Sequence, residues 1–255
     1  MKKIALALLA ALILTLGLGL NAQAEEFQVA VAANFTKPAE KIAQAFEKKT
    51  GHKAILSFGS TGNFYSQIKQ EAPFAAFLAA DSATPQKLEN EKLIKPGSRF
   101  TYAKGALALW SKTTGYVDDK GEVLKKNQFK KLAVADPKLA PYGKAAHEAL
   151  AKLGLEKAVE AKIVTGNNIT QTFQFAESGN AELAFIAWSQ VCQDGQLTSG
   201  SVWNVPADLY SPILQDMVIL KPGENSAAVQ AFADYVKSDP EARKIILSFG
   251  YELSE

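Results

Sequence analysis

LSFGSTGNFYSQIKQEAPFAAFLAAD, residues 56–81, is the stretch that decides the fold. The apolar run Ala54-Ile55-Leu56 leads into Phe58-Gly59-Ser60-Thr61-Gly62. Phe64, Tyr65, Ile68 and Ala72 then recur at helical spacing, which predicts a helix from about Gly62. Pro73 ends it, because proline disfavours a helical residue before it. Residues 75–80 are a second apolar run, of the length of a buried parallel strand, closed by Asp81. The unit is strand–loop–helix–strand, with a Gly-Ser-Thr-Gly loop at the start of the helix. Such a loop offers unpaired N–H groups, the positive end of the helix dipole and two hydroxyls, and it can receive an anion. Ser60 or Thr61 serving only as a helix cap is the plainer reading of the same residues.

Three more junctions of this kind follow the same pattern. Phe27–Ala33 (FQVAVAA) reads as a strand ending in Asn34-Phe35-Thr36, before a helix that runs to about Lys49. Lys131–Ala135 (KLAVA) reads as a strand, followed by the loop 136–143 and a helix over Lys144–Leu153. Val159–Val164 leads into Gly166-Asn167-Asn168-Ile169-Thr170 and a helix from about Gln171 to Ser178. Thr101–Ser111 (TYAKGALALWS), Leu183–Ala187 (LAFIA), Ser201–Pro206 and Leu209–Leu220 are the remaining predicted strands, and 227–237 and 240–249 close the chain as helices. Strands alternating with helices specify an α/β class with mainly parallel sheets covered on both faces. Ligands of such sheets bind at the carboxyl edge. Two lobes facing each other across a cleft would bring all four helix starts onto one small ligand.

Composition excludes several functions. Lys2-Lys3, the apolar run 4–20 and Ala22-Gln23-Ala24 form a secretory signal pattern with cleavage expected after Ala24. No later run is long and apolar enough to span a bilayer. The chain has 28 Lys+Arg and 26 Asp+Glu, and removal of Lys2 and Lys3 leaves the mature chain balanced, which argues against nucleic acid as a partner. Cys192 is the only cysteine, so no internal disulfide forms, and it reads as buried filler. His52 and His147 sit at no metal-ligand spacing. There is no Gly-x-Ser-x-Gly elbow and no P-loop, and Ser60 has no His or Lys in its own motif. Asp81 reads as a cap for the segment after it.

The loops are rich in donors instead. Asn34, Ser60, Thr61, Tyr142 and Asn168 are neutral, and Asp136 is the one evident acceptor near them. About six hydrogen bonds to a charged group, at ~1.5–3 kcal/mol each, give roughly 9–18 kcal/mol gross. Association costs reduce this, and micromolar binding, about −8 kcal/mol, remains within reach without a metal cation.

At VAVAANF (29–35), FGSTGNFYSQIKQEAPFAAFLAAD (58–81), LAVADPKLAPYGKAAHEAL (132–150) and TGNNITQTFQFAESGNAELAFIAWSQV (165–191) the chain resembles the periplasmic molybdate-binding proteins of ATP-binding-cassette transporters, which have the type II periplasmic binding fold. The resemblance covers nearly the whole mature chain. It implies molybdate or tungstate as ligand, no cofactor, a membrane permease as partner and a periplasmic monomer. It places the oxyanion on Asn34, Ser60, Tyr142 and Ile169, the last through its backbone. Ala187 stands where some members carry a tyrosine, so that hydroxyl is missing. The expected lobes are 25–103 with 209–255, and 104–208. A sulfate or thiosulfate binder of the same fold, and a periplasmic hydrolase of small phosphate or sulfate esters, are the alternatives.

Overall fold

The structure, a computed structural model, describes residues 24–253; the signal pattern lies outside them, apart from Ala24. Two five-stranded sheets organise the chain. The first contains β1 (Glu26–Ala32), β2 (Lys53–Gly59), β3 (Ala76–Leu78), β4 (Phe100–Gly105) and β12 (Ile213–Ile219), in the order β2-β1-β3-β12-β4. The second contains β5 (Leu107–Ser111), β6 (Leu132–Ala135), β7 (Ile163–Gly166), β8 (Leu183–Ala187) and β11 (Ser201–Asn204), in the order β11-β5-β8-β6-β7. A small hairpin, β9 (Cys192–Gln193) and β10 (Gln196–Leu197), completes the set. One strand of each sheet is reversed: β12 is antiparallel to β3 and β4, and β5 is antiparallel to β8 and β11. The other four strands of each sheet point the same way, so their carboxyl ends share an edge.

Four helices start at those edges. α1 (Thr36–Thr50) follows β1 through a 3-10 turn at Ala33–Phe35, and α2 (Thr61–Lys69) follows β2. α3 (Ala83–Asn90) and the short α4 (Glu122–Lys126) lie between. α5 (Pro141–Lys152) follows β6, and α6 (Glu156–Val159) leads to β7. α7 (Ile169–Glu177) follows β7, and α8 (Ala227–Ser238) and α9 (Pro240–Ser248) end the fold. The amphipathic stripe Ala39, Ile42, Ala43 and Phe46 buries α1 against the first sheet, where Phe27, Phe46 and Phe232 pack ring on ring. The far side of that sheet is covered by Phe64, Phe74, Phe77 and Leu88. Both faces are therefore dry, which is why β3 and the Val29–Ala32 half of β1 read as unbroken apolar runs.

Several elements differ from the sequence reading: the strand expected from Leu209 begins only at Ile213, after a 3-10 turn at Ala207–Leu209, and the helix expected from about Gln171 starts at Ile169. TYAKGALALWS is not one strand: it splits at Ala106 into β4 and β5, which belong to different sheets. α5 begins at Pro141, not Lys144, because proline suits the first helical position, where its missing N–H is no loss. Residues 159–162 are helical, so β7 starts only at Ile163.

The pairing of β4 with β12 shifts register between Gln215 and Asp216, so Tyr102 is skipped as a bulge. Asp216 is fully buried beside it and accepts from Arg99 Nη1 at 2.9 Å and from the Thr101 hydroxyl at 2.7 Å. Arg99 also donates to Glu89 and Gln86, which ties α3 to the sheet. Asp216→Ala removes a buried carboxylate with a charge-assisted bond and is expected to cost roughly 2–3 kcal/mol in urea unfolding, whereas Asp216→Asn, which keeps an acceptor, costs less.

Candidate functional site

The two carboxyl edges face each other and touch. Gly62 N–H donates to the Leu139 carbonyl at 3.0 Å. The Thr170 hydroxyl donates to the Ala33 carbonyl at 3.2 Å, and the Ser189 hydroxyl to the Asn34 carbonyl at 3.1 Å. A Cβ on Gly62 would stand 3.1 Å from Leu139 Cα, so the approach of α2 to the loop before α5 favours glycine there. Between these contacts lies a small cavity, with room for about one water molecule, lined by Asn34, Ser60, Thr61, Tyr142, Asn168 and Ile169 together with Ala32, Ala33, Gly59, Ala80, Ala140 and Pro141. It is smaller than the roughly 300–1,000 Å3 of sites for drug-sized organic ligands. A wider groove of about 250 Å3 opens beside it, with Asp81, Lys138, Lys144 and Glu148 on its walls.

α2, α5 and α7 bring their first turns to this cavity, where N–H groups have no intrahelical acceptor, and the 3-10 turn before α1 brings Ala33 and Asn34. In α2, Gly62 N–H is taken by Leu139, and Asn63 N–H by the Ser60 hydroxyl at 3.4 Å, which leaves Thr61 N–H. In α5, Pro141 has no N–H and Gly143 donates to Ala140, which leaves Tyr142 N–H. In α7, Gln171 N–H is taken by the Asn168 side chain at 2.9 Å, which leaves Ile169 and Thr170. Among the described residues these N–H groups have no protein acceptor. Ser60 is both a cap and a free donor: its oxygen accepts the long bond from Asn63 while its O–H remains to be given. The Thr61 oxygen accepts Ala80 N–H at 3.0 Å, fixing the end of β3 under the cavity.

Two residues read as side-chain donors act differently. Both N–H bonds of the Asn34 amide are spent, on Gln215 Oε1 at 2.8 Å and on the Tyr251 hydroxyl at 2.9 Å. The Tyr142 hydroxyl is buried and accepts from Gln215 Nε2 at 3.1 Å, away from the cavity lining. The Asn34 amide N–H groups and the Tyr142 hydroxyl are therefore engaged with protein partners. Ala187 does not line it: its N–H goes to Gln190 Oε1 at 3.0 Å. Gln190 Nε2 in turn holds the Ile169 carbonyl at 3.2 Å, so Gln190 braces the fourth loop.

Among the described residues no charged side chain lines the cavity. Asp136 turns its carboxylate to Lys138 N–H at 2.8 Å in its own loop and is not in the lining. Asp81 caps α3 through Thr84 N–H at 2.8 Å, and burial raises its carboxyl above the ordinary value against the pull of those bonds. Burial also pushes the Tyr102 and Tyr142 phenols well up and that of Tyr251 to about 12, so all three stay neutral. The enclosure is rich in N–H and O–H, free of counter-charge and poor in acceptor side chains. It suits a small, fully deprotonated anion.

A family model for bacterial extracellular solute-binding proteins matches residues 27–252. The chain belongs to that family. Among its curated relatives, this solute-binding protein is 59% identical over 248 residues to the molybdate-binding protein ModA of Azotobacter vinelandii, spanning 96% of this chain and 98% of that one. It is 51% identical to the protein of that name from Rhodobacter capsulatus, over 94% of each chain. Among solved structures, the periplasmic molybdate-binding protein of Azotobacter vinelandii superposes with a TM-score of 0.87 at 40% identity, over 90% of this chain and all of that one. The sulfate-binding protein SubI of Mycobacterium tuberculosis shares the fold alone, with a TM-score of 0.74 at 10% identity.

Ser60 separates capping from binding. Ser60→Asp keeps a good N-cap and places a negative charge favourably on the helix dipole, contributing ~0.3–1 kcal/mol. The same carboxylate repels an anion inside a cavity where screening is weak. The expected outcome is an unchanged or higher apo melting temperature with affinity for a tetrahedral dianion lowered by about two orders of magnitude or more. Calorimetry and thermal melting on one preparation read both.

Proposed function

We propose that this chain is the periplasmic receptor for molybdate and tungstate of an ATP-binding-cassette importer. The observation that carries this reading is the small uncharged cavity on which three helix first turns and the 3-10 turn before α1 converge. In it the oxyanion accepts backbone N–H bonds near Asn34, Thr61, Tyr142 and Ile169 and the Ser60 hydroxyl, and no cationic side chain is needed. The names of the 59% and 51% identical relatives point to the same ligand. Phosphate, which carries a proton near neutral pH, finds no acceptor side chain in the lining other than the Asn and hydroxyl oxygens. The chain is read as a carrier and not an enzyme, because the lining holds no carboxylate, imidazole or amine to move a proton.

The receptor works as two lobes, 25–103 with 209–255, and 104–208, joined near Tyr102–Gly105 and Leu209–Ser211. Supporting this division, β4 and β12 lie in the first sheet while β5 and β11 lie in the second. The lobes open to admit the ion and close on it, and the closed form presents itself to the permease. We further read the mature chain as a monomer, exported with its leader removed after Ala24 and without affinity for nucleic acid.

Calorimetry with molybdate, tungstate, sulfate and phosphate tests the assignment. One molybdate or tungstate per chain is expected, with phosphate failing to compete; phosphate binding as tight as molybdate overturns it, and tighter sulfate binding reassigns the ligand. Turnover of phosphate or sulfate esters would make the protein a hydrolase. Small-angle scattering is expected to show a smaller radius of gyration with molybdate, and an unchanged radius would mean a preformed site.

A further inference from the structure

Gln215 is fully buried, lies outside the cavity lining and touches two of the four ligand loops at once. Its Oε1 accepts from Asn34 Nδ2 at 2.8 Å and from the Tyr102 hydroxyl at 3.0 Å. Its Nε2 donates to the Tyr142 hydroxyl at 3.1 Å. Asn34 follows β1 of the first sheet, and Tyr142 stands on α5 against the second. One side-chain amide thus joins the first turns of helices on opposite sides of the cleft. Ser189 and Tyr251 add a second span beside it: their hydroxyls lie 2.9 Å apart, and both donate to the Asn34 carbonyl.

The bridge runs through a gap that only glycine leaves open. A Cβ on Gly105, the last residue of β4, would lie 2.0 Å from the Tyr142 hydroxyl oxygen and 2.6 Å from Gln215 Nε2. The crossover between the sheets is thereby shaped around this contact. The phenol and the amide are both neutral, and the surroundings are dry, where a hydrogen bond is strong and an unmade one is costly. When the edges separate, water satisfies both groups, so the bridge exists only in the closed arrangement.

We propose that Gln215 and the Tyr142 hydroxyl are positioning residues that latch the closed cleft and set how long the oxyanion is held, without touching it. This rests on the two-lobe oxyanion receptor proposed above. Capture takes place in the open form, before the latch forms, so the latch acts on dissociation and leaves association alone.

The test uses the mature chain, with radiolabelled molybdate chased by excess tungstate. Tyr142→Phe and Gln215→Met are each expected to speed release by about tenfold, equivalent to about 1.4 kcal/mol, with association within about twofold of wild type. The double variant is expected to release no faster than Gln215→Met, because the two groups form one contact. The apo melting temperature of Tyr142→Phe stays at the wild-type value. A lowered apo melting temperature with wild-type release would make the contact structural, and additive losses would give the residues separate roles; either result overturns the latch. If Gln215→Met does not fold, the ring-preserving Tyr142→Phe decides alone. Failure of wild type to bind molybdate sinks the receptor reading, whereas wild-type binding with unchanged release in Tyr142→Phe sinks only the latch.

Discussion

A doubly charged ion leaves water only if its lost hydrogen bonds are replaced, and a site without counter-charge must replace them with donors that have no other acceptor. A folded chain has few such groups. Most buried N–H bonds are committed to helices and sheets, and the regular exception is the first turn of a helix. This protein gathers three of those exceptions in one place, with the 3-10 turn before α1 beside them. The architecture follows from that need: parallel strands put helix starts on one edge, and two sheets set edge to edge bring the starts together.

The same need explains what the site omits. A lysine in the lining would hold any anion, and a carboxylate would repel a dianion while accepting the proton of a monoanion. Asp136 and Asp81 stand close in sequence to the ligand loops, yet each carboxylate is turned into its own local bonds, to Lys138 N–H and to Thr84. A small residue does the opposite work. Gly62 lets backbone approach where a Cβ would press on Leu139 Cα.

The four junctions were legible because each is local: a short apolar strand, a polar or glycine-containing loop, then helical periodicity. LAFIA maps onto β8 residue for residue. The split of TYAKGALALWS at Ala106 left only a weak trace, Lys104-Gly105, because a single glycine inside an apolar run reads equally well as a bulge or a close backbone approach within one strand. Residue type also misled at Asn34 and Tyr142. Both carry donors, but their side chains are spent on Gln215 and Tyr251, which lie more than seventy residues away in the chain. Gln215 itself left a trace. Gln215-Asp216 interrupts the otherwise apolar run ILQDMVI, and two adjacent polar residues in a doubly covered strand must each find a partner. Asp216 finds Arg99 and Thr101, and Gln215 finds the cleft.

Presenting backbone to the ligand also changes what a missing side chain means. A hydroxyl donor at position 187 would have to be held in one rotamer, at a cost in side-chain entropy. A first-turn N–H is already aimed when the helix forms, and it needs no reorganisation when the ion arrives. What it does need is a fixed peptide plane. At the fourth loop Gln190 supplies this: its amide oxygen takes Ala187 N–H and its amide nitrogen holds the Ile169 carbonyl. Holding that carbonyl orients the peptide whose N–H belongs to Thr170, and the Asn168 cap orients the turn from the other side. In the proposed site the alanine at 187 is thus part of a brace for a backbone donor, and the side chains there matter chiefly for where they hold the main chain.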